Sequence, residues 1–168
     1  MGSLQNPFPA TDKDRHVIWD FLVLEDTRDF LRGDFSRCRT RFLEAAFFSL
    51  DAAGSPDPAQ WKISFPTLDD YAARWVEYSR ATVADIEDPE QAERALLEAS
   101  DLTEIDITGG AAVARKKFDG SIPLLGGRRS YLRWQTLYWL KRIDGEWKIT
   151  GFLGYLPYKG LFRMEVCG

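Results

Sequence analysis

Few side chains in this sequence are equipped to move a proton, and their spacing limits what they can do. The single histidine, His16, stands four residues before Asp20, so on a helix the two form a His–Asp pair able to act as a base. Its plainer role is an exposed contact at a helix entrance. Asp20 also belongs to an acidic stretch with Glu25, Asp26 and Asp29, which reads as a solvated face. Asp51 follows the apolar run Phe47-Phe48-Ser49-Leu50 and opens a loop. As a general base it needs apolar walls, which Phe47, Trp61 and Trp75 can supply; as a loop acid it need only turn the chain. Tyr138 can donate a hydrogen bond to a substrate oxygen, or be a buried tyrosine satisfied by a backbone carbonyl. Lys116 falls on the apolar side of a strand, where it either binds an anion or snorkels out at the strand end.

Other chemistries lack material. One histidine and two distant cysteines, Cys38 and Cys167, offer almost nothing from which to build a metal site. No phosphate loop, nucleophile elbow or dinucleotide fingerprint is present, so no cofactor is expected. A net charge of −4 speaks against nucleic-acid binding. Its distribution is uneven: residues 1–106 carry 22 acids and 11 bases, residues 107–168 carry 4 acids and 11 bases. Self-complementarity of the two halves explains this, and a basic sheet face holding an anion is the sharper reading. No apolar run approaches the roughly 20 residues needed to cross a bilayer, and Met1 to Asp14 lack the apolar centre of a secretory signal. The expectation is a cytoplasmic chain with free thiols.

The elements that must position these residues emerge from periodicity. Thr11 or Asp12 can cap a first helix with Val17, Phe21, Leu24, Arg28 and Leu31 on one face, stopped by Gly33. Asp34 caps a second helix with Phe35, Cys38, Phe42 and Ala45 or Ala46 inward. Phe47 to Leu50 reads as a short strand, and alternation at Trp61, Ile63 and Phe65 predicts another. Thr67 to Asp70 resembles a capping box ahead of a helix carrying Leu68, Tyr71, Ala72, Trp75, Tyr78 and Ser79 on one side. Asp88-Pro89 starts a further helix whose Ala92, Ala95, Leu96 and Ala99 side is weak enough to suggest a surface position. From Leu102 the pattern is strands: a hairpin turning at Gly109-Gly110, with Glu104 opposite Arg115, then a glycine-rich connection after Gly120. A second hairpin turns at Asp144-Gly145. In that hairpin Leu132, Trp134, Thr136, Tyr138 and Leu140 face a core with Trp147, Ile149, Leu153 and Tyr155. The opposite face, with Arg133, Gln135, Trp139 and Phe152, is too apolar for water and too polar for a core, as a homodimer interface would be. Gly151 and Gly154 permit a bulge or bend.

Two helices, two short strands, a helix, then long strands ending in a Trp-rich hairpin resemble the nuclear transport factor 2-like superfamily. The residues carrying the likeness are Gly33-Asp34, the loop from Asp51 to Trp61, and Asp144-Gly145-Glu146-Trp147-Lys148-Ile149. The segments from Phe47 to Ala52 and from Gly151 to Pro157 look like those of uncharacterised bacterial members. The likeness covers about residues 14–158 of a single 1–168 domain, and it implies an α+β fold with helices on a strongly bent antiparallel sheet enclosing a cone-shaped cavity. The superfamily includes ketosteroid isomerases, scytalone dehydratases, limonene epoxide hydrolases, SnoaL-like polyketide cyclases and non-catalytic association domains. Its enzymes set a carboxylate or histidine and a hydroxyl donor in an apolar cavity, which raises a carboxyl's pKa towards neutrality. Scytalone dehydratase chemistry is disfavoured, since it needs two histidines. Mapped onto this chain, Asp51 at the rim or Asp20 is the base and Tyr138 the donor. Trp19, Trp61, Tyr71, Trp75, Lys116, Trp134 and Tyr155 surround the ligand, or the aromatic rings simply fill the cone. Two readings stay open: a cofactor-free isomerase, dehydratase or cyclase acting on a small apolar, aromatic or carboxylated ligand, and a non-catalytic ligand-binding or protein-association module.

Overall fold

The computed structural model describes residues 4–157, so Cys167 and Tyr158 lie outside the described residues. The chain starts with α1 (Lys13–Trp19), capped by the Asp12 side chain on the Arg15 N–H. It passes through a π-helical turn (Asp20–Glu25) into α2 (Asp26–Arg32), without leaving helical dihedrals, and stops at left-handed Gly33. In the π-turn the Asp26 N–H reaches back five residues to the Phe21 carbonyl. The extra residue shifts the buried stripe. Val17 is 45% exposed, while Ile18, Leu22 and Asp29 are buried. A uniform 3.6-residue period puts Val17 inside and Asp29 in solvent, the reverse of what the π-turn produces.

Asp34 caps the short α3 (Phe35–Arg39), from which Phe35, Cys38 and Phe42 face inward. Then come β1 (Phe48–Asp51), β2 (Lys62–Phe65), α4 (Leu68–Ala84) and α5 (Pro89–Ala99). The reciprocal Thr67–Asp70 capping box starts α4, and Asp88 with Pro89 starts α5. The rest is sheet: β3 (Ser100–Thr108), β4 (Ala111–Pro123), β5 (Arg129–Ile143) and β6 (Glu146–Leu156).

The six strands form one open sheet in the order β2-β1-β6-β5-β4-β3. All neighbours are antiparallel except β1, which runs parallel to β6, so the sheet is mixed. Glu104 pairs with Arg115 across β3 and β4, side chain to side chain at 3.0 Å. Asp144 and Gly145 both take the positive φ that a two-residue hairpin demands. Strand β4 runs on through Gly120, past the expected connection, because that glycine lets Ala99 of α5 lie against the strand. Helix α5 thus covers a second core of Ala92, Leu96, Ala99, Ile122 and Leu132, its small residues permitting close approach.

Two bulges in β6 decide which residues face inward. Trp139 pairs with Gly151 and Leu140 with Ile149, leaving Thr150 as the extra residue. Beyond it the faces exchange. Phe152 turns inward onto Tyr71 and Tyr138, with ring centroids 4.8 and 5.8 Å away, and is not an outer-face residue. Leu153 turns outward and packs with Ala52, Leu156 and Trp139. The second irregularity, between Gln135 and Leu137, coincides with a positive φ at Tyr155, whose side chain is 48% exposed instead of facing the core.

Candidate functional site

The space between the helices and the sheet is mostly filled by rings. Phe35, Phe42, Phe47, Tyr71, Trp75 and Phe152 form a continuous network of contacts from 4.8 to 6.0 Å. What remains is a crevice of about 20 Å³. One water needs roughly 10–15 Å³ by the same measure, so the crevice as it stands holds a water and not a drug-sized ligand.

Its walls come from five elements. The first helix supplies Phe21, Leu22, Glu25, Asp26 and Asp29; the α3 region supplies Cys38, Arg41 and Phe42; α4 gives Tyr71, β5 gives Tyr138 and β6 gives Ile149. The π-turn brings Glu25, Asp26 and Asp29 to this side. Beside the crevice Lys116 is 1% exposed and makes a 3.0 Å ion pair with Asp26. Its ammonium also donates to the Leu22 carbonyl in the π-turn and sits 4.7 Å from the Phe118 ring centre. The lysine therefore points inward, and the snorkelling alternative fails because the π-turn and Asp26 offer it partners inside.

Burial sets the acid–base character of the walls. It raises the Asp29 carboxyl above its ordinary value, against the opposing pull of Arg37 and Arg32. It pushes both the Tyr71 and Tyr138 phenols well above theirs, so at neutral pH they are hydrogen-bond donors. Neither hydroxyl makes a hydrogen bond among the described residues. Cys38 is buried and its thiol is likewise pushed well up by desolvation, with Asp26 and Asp29 adding to the effect, which makes it a poor nucleophile.

Of the residues singled out in the sequence, Tyr138 and Tyr71 line the crevice and Lys116 stands behind it. The others lie elsewhere. Asp51 accepts from the Ala53 N–H at 2.6 Å in a local turn at the sheet edge. Asp20 accepts from Asn6 at 3.0 Å and lies 3.5 Å from His16 Nε2, on the outer side of the helix. Trp19 and Trp75 are buried core residues that do not border the crevice. Trp61 packs on the opposite sheet face and donates to the Ser55 carbonyl. Trp134 stacks between Phe118 and Tyr155, at 4.7 and 5.2 Å, beside the α5 core. Arg133, Gln135 and Trp139 stay on the outer face; Arg133 lies 5.2 Å over the Tyr131 ring, and Gln135 bonds Arg115. Asp26, Asp29 and Arg41 are the site residues that the sequence pattern missed; the two acids belong to a charged stretch with Asp20, Glu25 and Arg28, a pattern that reads as solvated.

On the solvent side of the first helix runs a groove of about 460 Å³ that shares Glu25, Asp29 and Arg41 with the crevice.

Helices packed on one face of an open, bulged sheet, with a layer of aromatic rings between them, define a class of small α+β domains. Solved structures make the class specific. A nuclear transport factor 2-like superfamily protein from Salmonella enterica matches with a TM-score of 0.57 at 13% identity, over 89% of this chain and 94% of its own. A protein of unknown function from Shewanella baltica gives 0.52 at 14% identity, over 84% and 91%. One from Shewanella oneidensis gives 0.51 at 14%, over 86% and 98%. The chain has the nuclear transport factor 2-like fold. No family model matches the sequence, and no curated protein matches it. Among the described residues no helix is long and apolar enough to cross a membrane.

Proposed function

We propose that this chain binds a small ring-shaped ligand at the crevice and moves a proton on it, with Asp29 as the acceptor and the Tyr138 and Tyr71 hydroxyls as donors to a ligand oxygen. The observation that carries this reading is the pair of crevice-lining phenols without a hydrogen-bond partner among the described residues, beside a buried carboxyl of raised pKa. Both tyrosines line the crevice and neither hydroxyl is bonded among the described residues, so each can donate to an oxygen atom supplied from outside. A donor pair on a carbonyl oxygen and a base for the adjacent carbon proton are what isomerisation, dehydration or cyclisation requires, without a cofactor. Aromatic walls favour a flat ligand. The crevice's size argues against a sterol, and even a single-ring compound enters only as the rings part.

A thermal-shift panel of single-ring phenols, cyclic enones and small aromatic acids tests this. A ligand at 100 times its dissociation constant adds about 2.7 kcal/mol to the native state, which raises the midpoint by about 5–10 °C in a domain of this size. Stabilisation that vanishes in Tyr138→Phe supports the site, and turnover lost in Asp29→Asn but kept in Asp20→Asn and Asp51→Asn supports the base. A panel without a hit sinks the reading.

A second reading, association through the outer sheet face, is favoured by one observation. Phe48 and Val113 are 44% and 49% exposed there beside Trp139, and Tyr131 is 62% exposed at the far end of β5. A homodimer through this face, with Arg133, Gln135 and Trp139 in the contact, is expected in light scattering at micromolar concentration. A monomer would refute it.

A further inference from the structure

We propose that the groove outside the first helix is the way into the crevice and selects ligands that carry a carboxylate, with the Arg41–Glu25 pair as the door; the proposal rests on the crevice being the ligand site. Glu25, Asp29 and Arg41 border both spaces, so these three side chains are the partition between a groove of about 460 Å³ and a crevice of about 20 Å³. Arg41 grips Glu25 through contacts of 2.6, 2.8 and 2.9 Å and spreads over the Phe21 ring. Both partners are more than a third exposed, at 37% and 44%. Parting them therefore returns two charges to water and strands neither, which makes this the easiest opening in the wall.

The groove's charge names the ligand. Four guanidinium groups, of Arg28, Arg32, Arg37 and Arg41, line it against Asp20, Glu25 and Asp29. Arg28 is held by Glu93 at 2.9 Å and Arg32 by Asp29 at 3.3 Å. Arg37 reaches Asp29 only at 4.0 Å and is 67% exposed, so it has donors to spare beside Arg41. An incoming carboxylate can take Glu25's place on Arg41 and add Arg37, keeping every charge-assisted hydrogen bond that the door gives up. Its ring then passes Phe21 and Phe42 toward the two phenols. The class that fits is a small aromatic acid with an oxygen substituent at the far end.

Titration calorimetry with 4-hydroxybenzoate and the neutral 4-hydroxybenzamide tests the selection. The acid is expected to bind more tightly than the amide. Arg37→Gln weakens the acid about tenfold, the scale of one charge-assisted hydrogen bond, and leaves the amide within about twofold. An amide that binds as tightly as the acid, or an acid indifferent to Arg37→Gln, overturns this inference and leaves the crevice reading standing. Binding by neither compound overturns both. The door has its own readout, because the buried Cys38 thiol lines the crevice. In a Cys167→Ser background, alkylation of Cys38 is expected to quicken in Glu25→Gln and not in Glu77→Gln, whose pair with Arg74 borders neither the groove nor the crevice. Equal rates in all three proteins, with unchanged melting temperatures, overturn the door.

Discussion

Lys116 and Asp26 form an ion pair with unequal ends, and the inequality predicts an asymmetric response to mutation. The lysine is 1% exposed while the aspartate side chain keeps 31% of its surface. Asp26→Ala leaves an ammonium buried with only the Leu22 carbonyl and the Phe118 ring for company. Stranding a buried charge in this way costs about 3–5 kcal/mol. Lys116→Met removes the charge from the dry end, fills nearly the same volume, and leaves a carboxylate that water can still reach. What it loses is one partner for the Leu22 carbonyl and the attraction itself, about 1–3 kcal/mol. The double variant Asp26→Ala/Lys116→Met strands nothing and should be milder than Asp26→Ala alone. Urea denaturation and thermal unfolding, both followed by tryptophan fluorescence, measure all three. At about 2–4 °C per kcal/mol for a domain of this length, the thermal midpoint of Asp26→Ala should fall by roughly 6–20 °C. If Lys116→Met costs as much as Asp26→Ala, or the double variant costs the sum of the two singles, the pair is not organised around the lysine's burial and the reasoning fails.

Three further outcomes are expected. Gly151→Ala should destabilise by about 1–3 kcal/mol in urea, since a Cβ there would run into the Phe48 carbonyl and the Trp139 indole; a neutral result would mean that the Trp139 ring is easily displaced. Asp29 has a raised pKa, so the folded state holds its proton more tightly than the unfolded chain, whose value is near 3.8. Its contribution is therefore lost as pH rises through the folded value, and Asp29→Asn should gain stability relative to wild type as pH climbs from the unfolded value through the folded one; a difference that is flat or falls with pH contradicts the burial argument. Tyr138→Phe should leave stability unchanged or raise it by up to about 1 kcal/mol, because it removes a hydroxyl that has no partner among the described residues; a measurable loss would reveal a partner for the phenol.

Element order and both hairpins were legible in the sequence because each depends on local chemistry. Asp144-Gly145 takes its turn for conformational reasons alone, Thr67-Asp70 and Asp88-Pro89 cap the helices they begin, and the Glu104–Arg115 pair emerges from counting back from Gly109-Gly110. Failures began where one inserted residue changed the phase. The π-turn rotates Asp29 inward and Val17 outward, and the bulge at Thr150 carries Phe152 into the core and Leu153 out of it. Neither insertion has a marker in the side chains, since both arise from how distant elements fit. Gly151 was a hint of the second, but only the Phe48 carbonyl and the Trp139 ring packed against it explain why that position must be bare. The candidate site suffered most, because its acids sit one π-turn away from where regular periodicity would put them. Tyr71 and Tyr138 were legible because they lie on elements whose phase is undisturbed.

The single parallel pairing in the sheet has a consequence for how the chain acquires its shape. β1 is hydrogen-bonded on one edge to β2 and on the other to β6, about a hundred residues later in the sequence. Until β6 is laid down, the β1–β2 ribbon has no sheet to join, and the wall that carries Phe47 and Tyr71 has no Phe152 to close upon. Loop closure over that span must come before its contacts repay it, so assembly is slow and late, with β6 as the keystone. Docking of the final hairpin is the step that joins the amino-terminal ribbon to the rest of the sheet.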